Sequence, residues 1–264
     1  MIFENIEGVP NFECIEYFPK RTKYCVLIPI INEGERIQKE LKTAKDCGID
    51  TLCDIIICDG GSTDGCTDDS LLTFLGVNTL LVKNDVGKQG AQLRMGFWWA
   101  LQRGYDGFIT IDGNNKDSIE DIPKFVEKLD DGYDFIQGSR FVKGGRAINT
   151  PFSRWFAVRC IHAPIISLST KKWYTDTTNA YRAYSKKYIT HKQLDIFRDT
   201  FMTYELLAYL SVRADHLGLK TGEIPVTRAY PQGEKTPTKI SGFKGNYELI
   251  KILIKTLFGG YNKL

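Results

Sequence analysis

Five short apolar runs, each closed by a polar turn, constrain this 264-residue chain more than any other feature. Tyr24–Ile31, Thr51–Cys58, Asn78–Val82, Gly107–Ile111 and Tyr133–Gly138 are too continuously apolar for strands with one wet face. They predict strands buried on both faces. Between them, residues 34–47, 64–75, 88–103 and 119–129 space their apolar side chains as helices do, and Pro123 suits a first helical turn. This alternation predicts an α/β fold, a mostly parallel central sheet flanked by helices.

After Arg140 the rhythm changes. Residues 143–150 read as a glycine-containing loop, 151–170 and 195–212 as helices, and 221–228 as a strand. Residues 229–244 are polar and expected to be flexible. The final stretch, Asn246–Phe258, is expected to be an amphipathic helix with one narrow polar stripe of Glu248, Lys251 and Lys255, extended backward by Lys244. So wide an apolar arc suits a membrane interface with lysines at the headgroups, a cap on the core, or pairing with a second copy in a homo-oligomer. The expected organisation is an N-terminal extension over 1–21, a main domain over 22–228, and a basic loop and helix over 229–264.

Net charge is +3, and the excess sits at the C-terminal end, where residues 228–264 hold seven Lys/Arg against two Asp/Glu. That hints at an anionic partner there, or at a solvated basic end. No nucleic-acid module accompanies it, so no nucleic-acid partner is expected. The first ten residues lack a basic start or an apolar stretch, and no run approaches 18 apolar residues. The expectation is a cytoplasmic protein, peripheral on the cytoplasmic membrane face if the last helix binds lipid. The seven cysteines form no CxxC pair and read as reduced, small hydrophobes; three histidines give a zinc site little support.

Ligands of parallel sheets bind beyond the carboxyl ends of the strands. Here those ends carry Asn32 and Glu33; Asp59, Gly60, Gly61 and Asp64; Asn84, Asp85 and Gly87-Lys88-Gln89-Gly90; Asp112, Asn114 and Asp117; and Ser139, Arg140 and Lys143. Five polar strand ends on one rim predict a site. No G-x-G-x-x-G follows the first strand and no P-loop motif exists. The acidic loop after Ile55–Cys58 suits the hydroxyls and ring N–H groups of a nucleoside, with glycines allowing close backbone approach. Asp112 and Asn114, two residues apart, offer oxygen ligands for Mg2+ or Mn2+ bridging a diphosphate, or form an Asx-rich turn. Arg140 and Lys143 offer cations for phosphate.

The segments "VLIPIINEGERI", "IIICDGGSTDG", "GKQGAQLRMGFWWA", "TIDGNNKDSIED" and "FIQGSRFVKGG" resemble, in order and spacing, the family 2 glycosyltransferases. The resemblance covers about residues 22 to 258. "GSRFVKGG", "TDTTNAYRAYSKK", "EIPVTRAYPQGEK" and "YELIKILIKTLF" narrow it to the dolichol-phosphate mannosyltransferase and polyprenyl-phosphate glycosyltransferase branch. It implies the GT-A nucleotide-sugar transferase fold and a nucleotide diphosphate sugar donor. Pro29, Glu33, Asp59, Lys88, Asp112, Gly113 and Lys235 would contact that donor. Asp112 and Asn114 would hold Mg2+ or Mn2+, Arg140 would face phosphate, and Asp176 with Arg182 would approach the reacting sugar or acceptor.

Two departures matter. The usual Asp-x-Asp reads Asp112-Gly113-Asn114, which loses a charge and should lower metal affinity unless Asp117 compensates. The usual glycine ahead of the "FRAY"-like segment is replaced in Asn179-Ala180-Tyr181-Arg182, so the acceptor pocket is expected to differ from the dolichol enzymes'. The expected reaction is an inverting transfer to a polyprenyl phosphate. That acceptor needs no general base, because its second pKa is about 6. A sugar hydroxyl, as in a growing surface polysaccharide, would need one within about 3 Å, with Asp176 the candidate. A nucleotidyltransferase would want a basic loop after the first strand, where this chain has Asn32-Glu33-Gly34-Glu35; a homologue with a lapsed site is the remaining alternative. Nothing in the sequence fixes the sugar or the base.

Overall fold

The computed structural model describes residues 1–170, 172–232 and 242–262. In chain order it contains β1 (Ile2–Phe3), β2 (Phe12–Glu16), β3 (Tyr24–Ile30), α1 (Glu35–Asp46), α2 (Ile49–Leu52), β4 (Asp54–Asp59), α3 (Asp69–Phe74), β5 (Val77–Lys83), α4 (Gln89–Gln102) and β6 (Gly107–Thr110). There follow α5 (Ile122–Asp130), β7 (Phe135–Ser139), β8 (Arg146–Ile148), α6 (Phe152–Phe156), a π-helical turn over Ala157–His162, and α7 (Ala163–Leu168). The remainder is β9 (Arg182–Ser185), α8 (Lys186–Ile189), α9 (Glu205–His216), β10 (Thr221–Pro225), β11 (Thr227–Ala229) and α10 (Gly242–Leu257).

Nine strands form one sheet in the order β1-β2-β5-β4-β3-β6-β9-β7-β10. The central β5, β4, β3 and β6 are parallel, as the apolar runs predict. Successive side chains of these strands alternate between faces. Cys25, Leu27, Ile56 and Cys58 join the core under α4 and α9, while Val26, Ile28, Ile55 and Ile57 join the core under α1 and α5. Both faces are therefore filled, and Cys25 and Cys58 are fully buried free thiols. Gly96 lets α4 sit close on the sheet: a Cβ there would lie 2.6 Å from the Cys58 sulfur.

Several elements depart from the sequence reading. Residues 12–16, inside the expected extension, pair antiparallel with β5. The third helix starts late, at Asp69, because the Asp68 carboxylate accepts from the Leu71 N–H and caps it there. The helix expected from Asp195 begins at Glu205, whose carboxylate accepts from the Thr203 N–H and hydroxyl. The expected 221–228 strand is two strands, β10 on the main sheet and β11 paired with β8.

The most consequential departure is β9, inserted antiparallel between β6 and β7. An antiparallel strand brings its first residues, not its last, to the carboxyl rim of its parallel neighbours. Arg182 therefore lies opposite Thr110, and the Thr110 hydroxyl donates to the Ala180 carbonyl at 2.6 Å. This topology delivers residues 176–182 to the same rim as Asp112 and Arg140.

Candidate functional site

Beyond this rim opens a cleft of about 780 Å³. One end is polar. Pro29, Asn32 and Glu33 line it from the end of β3, Gly87, Lys88 and Gln89 from the N-terminus of α4, and Asp112, Gly113, Asn114 and Lys116 from the turn after β6. The other end is apolar, walled by Ile166 of α7, Leu207 and Ala208 of α9, and Leu249, Ile252 and Leu253 of α10. Arg154, His162 and Arg228 lie along its wall.

The polar floor is tied together by its own turns. Asn32 adopts a left-handed backbone (φ 50°); its N–H donates to the Ser62 hydroxyl at 2.9 Å and its side-chain oxygen accepts from the Thr63 N–H at 2.8 Å. Asp59 is buried and accepts from the N–H groups of Gly61 (3.0 Å) and Ser62 (2.8 Å) and from the Ser62 hydroxyl. Its carboxylate shapes its own loop and does not line the cleft, unlike the neighbouring Gly60. Glu33 lines the cleft and pairs with Arg36 at 2.8 Å.

The turn after β6 is held from several sides. Asp112 is 22% exposed at its side chain; it accepts from Gln89 Nε2 at 2.8 Å and lies 3.4 Å from Arg228 Nη2. Gly113 is required by packing, since a Cβ there would meet Ile30 Cγ2 at 2.5 Å. Asn114 Oδ1 is buried without a hydrogen-bond partner among the described residues. Asn115 is left-handed (φ 55°), and its N–H donates to Glu40 Oε2 at 2.8 Å. Glu40 is fully buried beneath the turn, and burial holds its carboxyl well above the usual range, against the pull of that N–H.

Asp117, two residues past Asn115, is engaged within the protein. It is buried, contacts Arg228 Nη1 and accepts from Asn179 Nδ2 at 3.2 Å. Burial nonetheless raises its carboxyl above the ordinary value. For Arg228, burial opposes the charge, but Asp117 and Asp112 outweigh it and keep the guanidinium protonated. Lys116 moves the other way: burial, then Arg228, push its ammonium down to about 8. Burial also lowers His162 to about 4. Among the described residues, no group of three or more His, Cys, Asp or Glu side chains gathers for a metal.

Arg140 and Asp176 form a fully enclosed fork behind the cleft and do not line it. Arg140 Nε donates to Asp176 Oδ2 at 2.6 Å, Nη2 to Oδ1 at 2.9 Å, and the Arg140 N–H to Oδ2 at 3.2 Å. This places Asp176, expected near the reacting atoms, against a guanidinium with its side chain 0% exposed. Arg182 lines the cleft, but its guanidinium donates to three carbonyls, of Asn179, Leu207 and Thr177 at 2.6–2.9 Å. It fastens the 177–180 segment to α9. Lys235 lies outside the described residues. The sequence reading did not single out Lys116, Arg154, His162 or Arg228. Arg228 stood within the quoted "EIPVTRAYPQGEK", but its reach to Asp112 depends on an antiparallel bridge between Asp117 and Arg228.

Among the described residues, no helix is long and apolar enough to cross a membrane. Comparison with known proteins finds two relatives of similar length, a solved structure of like fold and a matching family model. Undecaprenyl-phosphate mannosyltransferase of Micrococcus luteus is 29% identical over 82% of this chain and 86% of its own. Polyprenol monophosphomannose synthase of Mycolicibacterium smegmatis is 25% identical over 86% of this chain and 84% of its own. The crystal structure of glucosyl-3-phosphoglycerate synthase from Mycobacterium tuberculosis, in complex with Mn2+, UDP and glucosyl-3-phosphoglycerate, superposes with a TM-score of 0.59. That match covers 90% of this chain and 79% of the other at 16% identity, a likeness of fold. A family model described as glycosyl transferase family 2 matches residues 25–192, and with the GT-A-like sheet and its rim cleft this places the chain in family 2 of the glycosyltransferases.

Proposed function

We propose that this glycosyltransferase moves a sugar from a nucleoside diphosphate sugar to a polyprenyl phosphate, with inversion at the anomeric carbon. The carrying observation is the two-ended cleft, polar under the strand tips and apolar between α7, α9 and α10. A nucleoside diphosphate sugar has no use for the apolar end; a phosphate on a long isoprenoid chain does. The names of the relatives from Micrococcus luteus and Mycolicibacterium smegmatis support the same acceptor class.

On this reading the nucleoside sits against Pro29, Asn32 and Glu33, and its diphosphate faces Lys88 and Asp112. The N-terminus of the 14-residue α4 adds favourable dipole at Gly87–Gln89. Asp112 and Asn114 are hard oxygen donors, and Asn114 Oδ1, buried with no hydrogen-bond partner among the described residues, suits a cation, so the pair would hold Mg2+ or Mn2+. When bound, such an ion supplies Lewis-acid neutralisation of the leaving diphosphate. An acceptor phosphate oxygen attacks C1 as the C1–O bond to the diphosphate breaks, and its electron pair leaves with the nucleoside diphosphate. The acceptor is already anionic near neutral pH, so no side chain takes a proton. The enclosed Arg140–Asp176 pair then positions the 176–182 segment and does not touch the reacting atoms.

Membrane contact belongs to the same proposal. Leu253 of α10 packs with Ile166 and Val212, while Tyr247, Ile250, Ile254 and Phe258 stay exposed. Phe152, Trp155 and Phe156 of α6 are exposed as well. These side chains, with Lys251 and Lys255, suit seating in the headgroup region beside the cleft's apolar end. The test is transfer from a panel of nucleotide sugars to undecaprenyl phosphate in detergent. A lipid-soluble sugar phosphate is the expected product; its absence with every donor, alongside transfer to a sugar hydroxyl, would replace the reading.

A further inference from the structure

Helices α6 and α7 make one continuous rod, with the π-helical turn Ala157–His162 between them. Pro164 accounts for the wider turn. It has no N–H to give the Cys160 carbonyl four residues back, and its ring crowds that carbonyl. Single π turns of this kind recur at functional sites. In an α-helix of about 3.6 residues per turn, a row of every fourth residue drifts round the axis, and a wider turn drifts it back. Arg154, Val158, His162 and Ile166 form such a row. Arg154, His162 and Ile166 all line the cleft, and Val158 is buried among them.

The row runs from the polar end of the cleft to the apolar end. The guanidinium carbon of Arg154 lies 5.8 Å from the centroid of Tyr230, a ring that Arg228, the partner of Asp112, also faces. Ile166 packs with Val212 and Leu253. His162 lies between these ends, one helical turn or about 6 Å from Ile166. Its ring makes no hydrogen bond to any described residue, and burial is the cause that brings its pKa down to about 4. Near neutral pH the ring is therefore uncharged, with one N–H to donate and one lone pair. An enclosed donor left without a partner costs stability, so this one gains from a ligand that brings an oxygen to it.

In a polyprenyl phosphate, one group joins the apolar chain to the polar head, and that group is the phosphate. A donor placed where the cations of the cleft give way to its apolar walls meets that group. We infer that His162 is an acceptor-contacting residue whose ring N–H donates to a phosphoryl oxygen of the lipid phosphate and so sets the headgroup at the border between the polar and apolar ends. The inference rests on the acceptor reading above. A neutral donor suits this border. An ammonium or guanidinium held against isoprenoid would lose its water at a far greater cost than an imidazole does.

The test is calorimetric binding of farnesyl phosphate and of farnesol to the full chain in one detergent near neutral pH, for wild type, His162→Phe and His162→Gln. His162→Phe should weaken farnesyl phosphate binding about 10- to 100-fold, the scale of one hydrogen bond to a charged group, and leave farnesol binding unchanged. His162→Gln, which keeps an N–H donor, should recover most of the loss. In steady-state transfer His162→Phe should raise KM for undecaprenyl phosphate and not KM for the nucleotide sugar. Unchanged farnesyl phosphate binding by His162→Phe, at a wild-type melting temperature, overturns the inference. Equal losses for farnesyl phosphate and farnesol overturn it too, since the ring would then be plain wall. So does a raised KM confined to the nucleotide sugar, which would put the ring at the donor. If His162→Phe does not fold, His162→Leu takes its place with the same readouts. Wild-type transfer to undecaprenyl phosphate with His162-independent binding sinks only this inference. A wild type that neither binds farnesyl phosphate nor transfers to undecaprenyl phosphate sinks the acceptor reading and this inference with it.

Discussion

Replacing Asp176 by asparagine keeps the shape of the side chain and removes the charge against which Arg140 is buried. Three Arg140 donors end on this one carboxylate, and both partners are almost wholly enclosed, at 2% and 0% side-chain exposure. Removing one partner of a buried pair strands the other, at a cost of about 3–5 kcal/mol. For a chain of this length that lowers the melting temperature by about 6–20 °C. The assay pairs thermal denaturation with steady-state transfer measured well below the lowered midpoint. The geometry predicts a large loss of stability, with kcat of the folded enzyme falling less than about 10-fold and the pH–rate profile keeping its shape. An unchanged melting temperature with kcat down more than about 100-fold, and the limb of the pH profile belonging to a catalytic base removed, would refute this. Asp176 would then act on the acceptor as a base, and a hydroxyl acceptor would return to favour.

Glu40→Gln keeps an acceptor for the Asn115 N–H and removes a titrating carboxyl from beneath the turn after β6. Since burial raises the folded pKa of Glu40, its contribution is present below the ordinary carboxyl range and is lost as pH rises through the folded value. The variant's melting temperature relative to wild type should therefore be higher at pH 7.5 than at pH 4.5. His162 runs the opposite way, its folded pKa lowered from 6.5 to about 4, so its contribution is lost as pH falls from about 6.5 toward 4. By linkage this amounts to at most about 3 kcal/mol, and a His162→Gln variant should flatten that part of the stability–pH curve. Asp112→Ala should lower kcat/KM by about 10²–10³ with little change in melting temperature, because its side chain reaches the cleft and, among the described residues, is held by Gln89 and Arg228.

Much of the fold was legible because the parallel strands are buried on both faces and so read as uninterrupted apolar runs. Strand β9 was not, since Arg182-Ala183-Tyr184-Ser185 has no apolar run; its place depends on Thr110, Gln137 and their neighbours across the sheet. Strand β2, Phe-Glu-Cys-Ile-Glu, alternates weakly and gains its strand character from pairing with β5. The rim residues could be found from strand ends alone, which is why Glu33, Lys88, Asp112 and Asn114 meet in one cleft. Which charged groups face that cleft could not. Asp59, Asp117, Arg140 and Asp176 look functional in sequence, yet the structure occupies each with a protein partner. Lys116 and Arg154 look ordinary in sequence and become neighbours only through Tyr230.

The central claim is the chemical nature of the acceptor. The most direct measurement incubates the purified chain with Mn2+, each common nucleotide sugar and undecaprenyl phosphate, then partitions product into organic solvent. With a polyprenyl-phosphate acceptor, one donor should give an organic-soluble product that releases its sugar on mild acid, with the anomeric configuration inverted relative to the donor. A water-soluble glycoside formed on a sugar hydroxyl, with nothing in the organic phase, would contradict it.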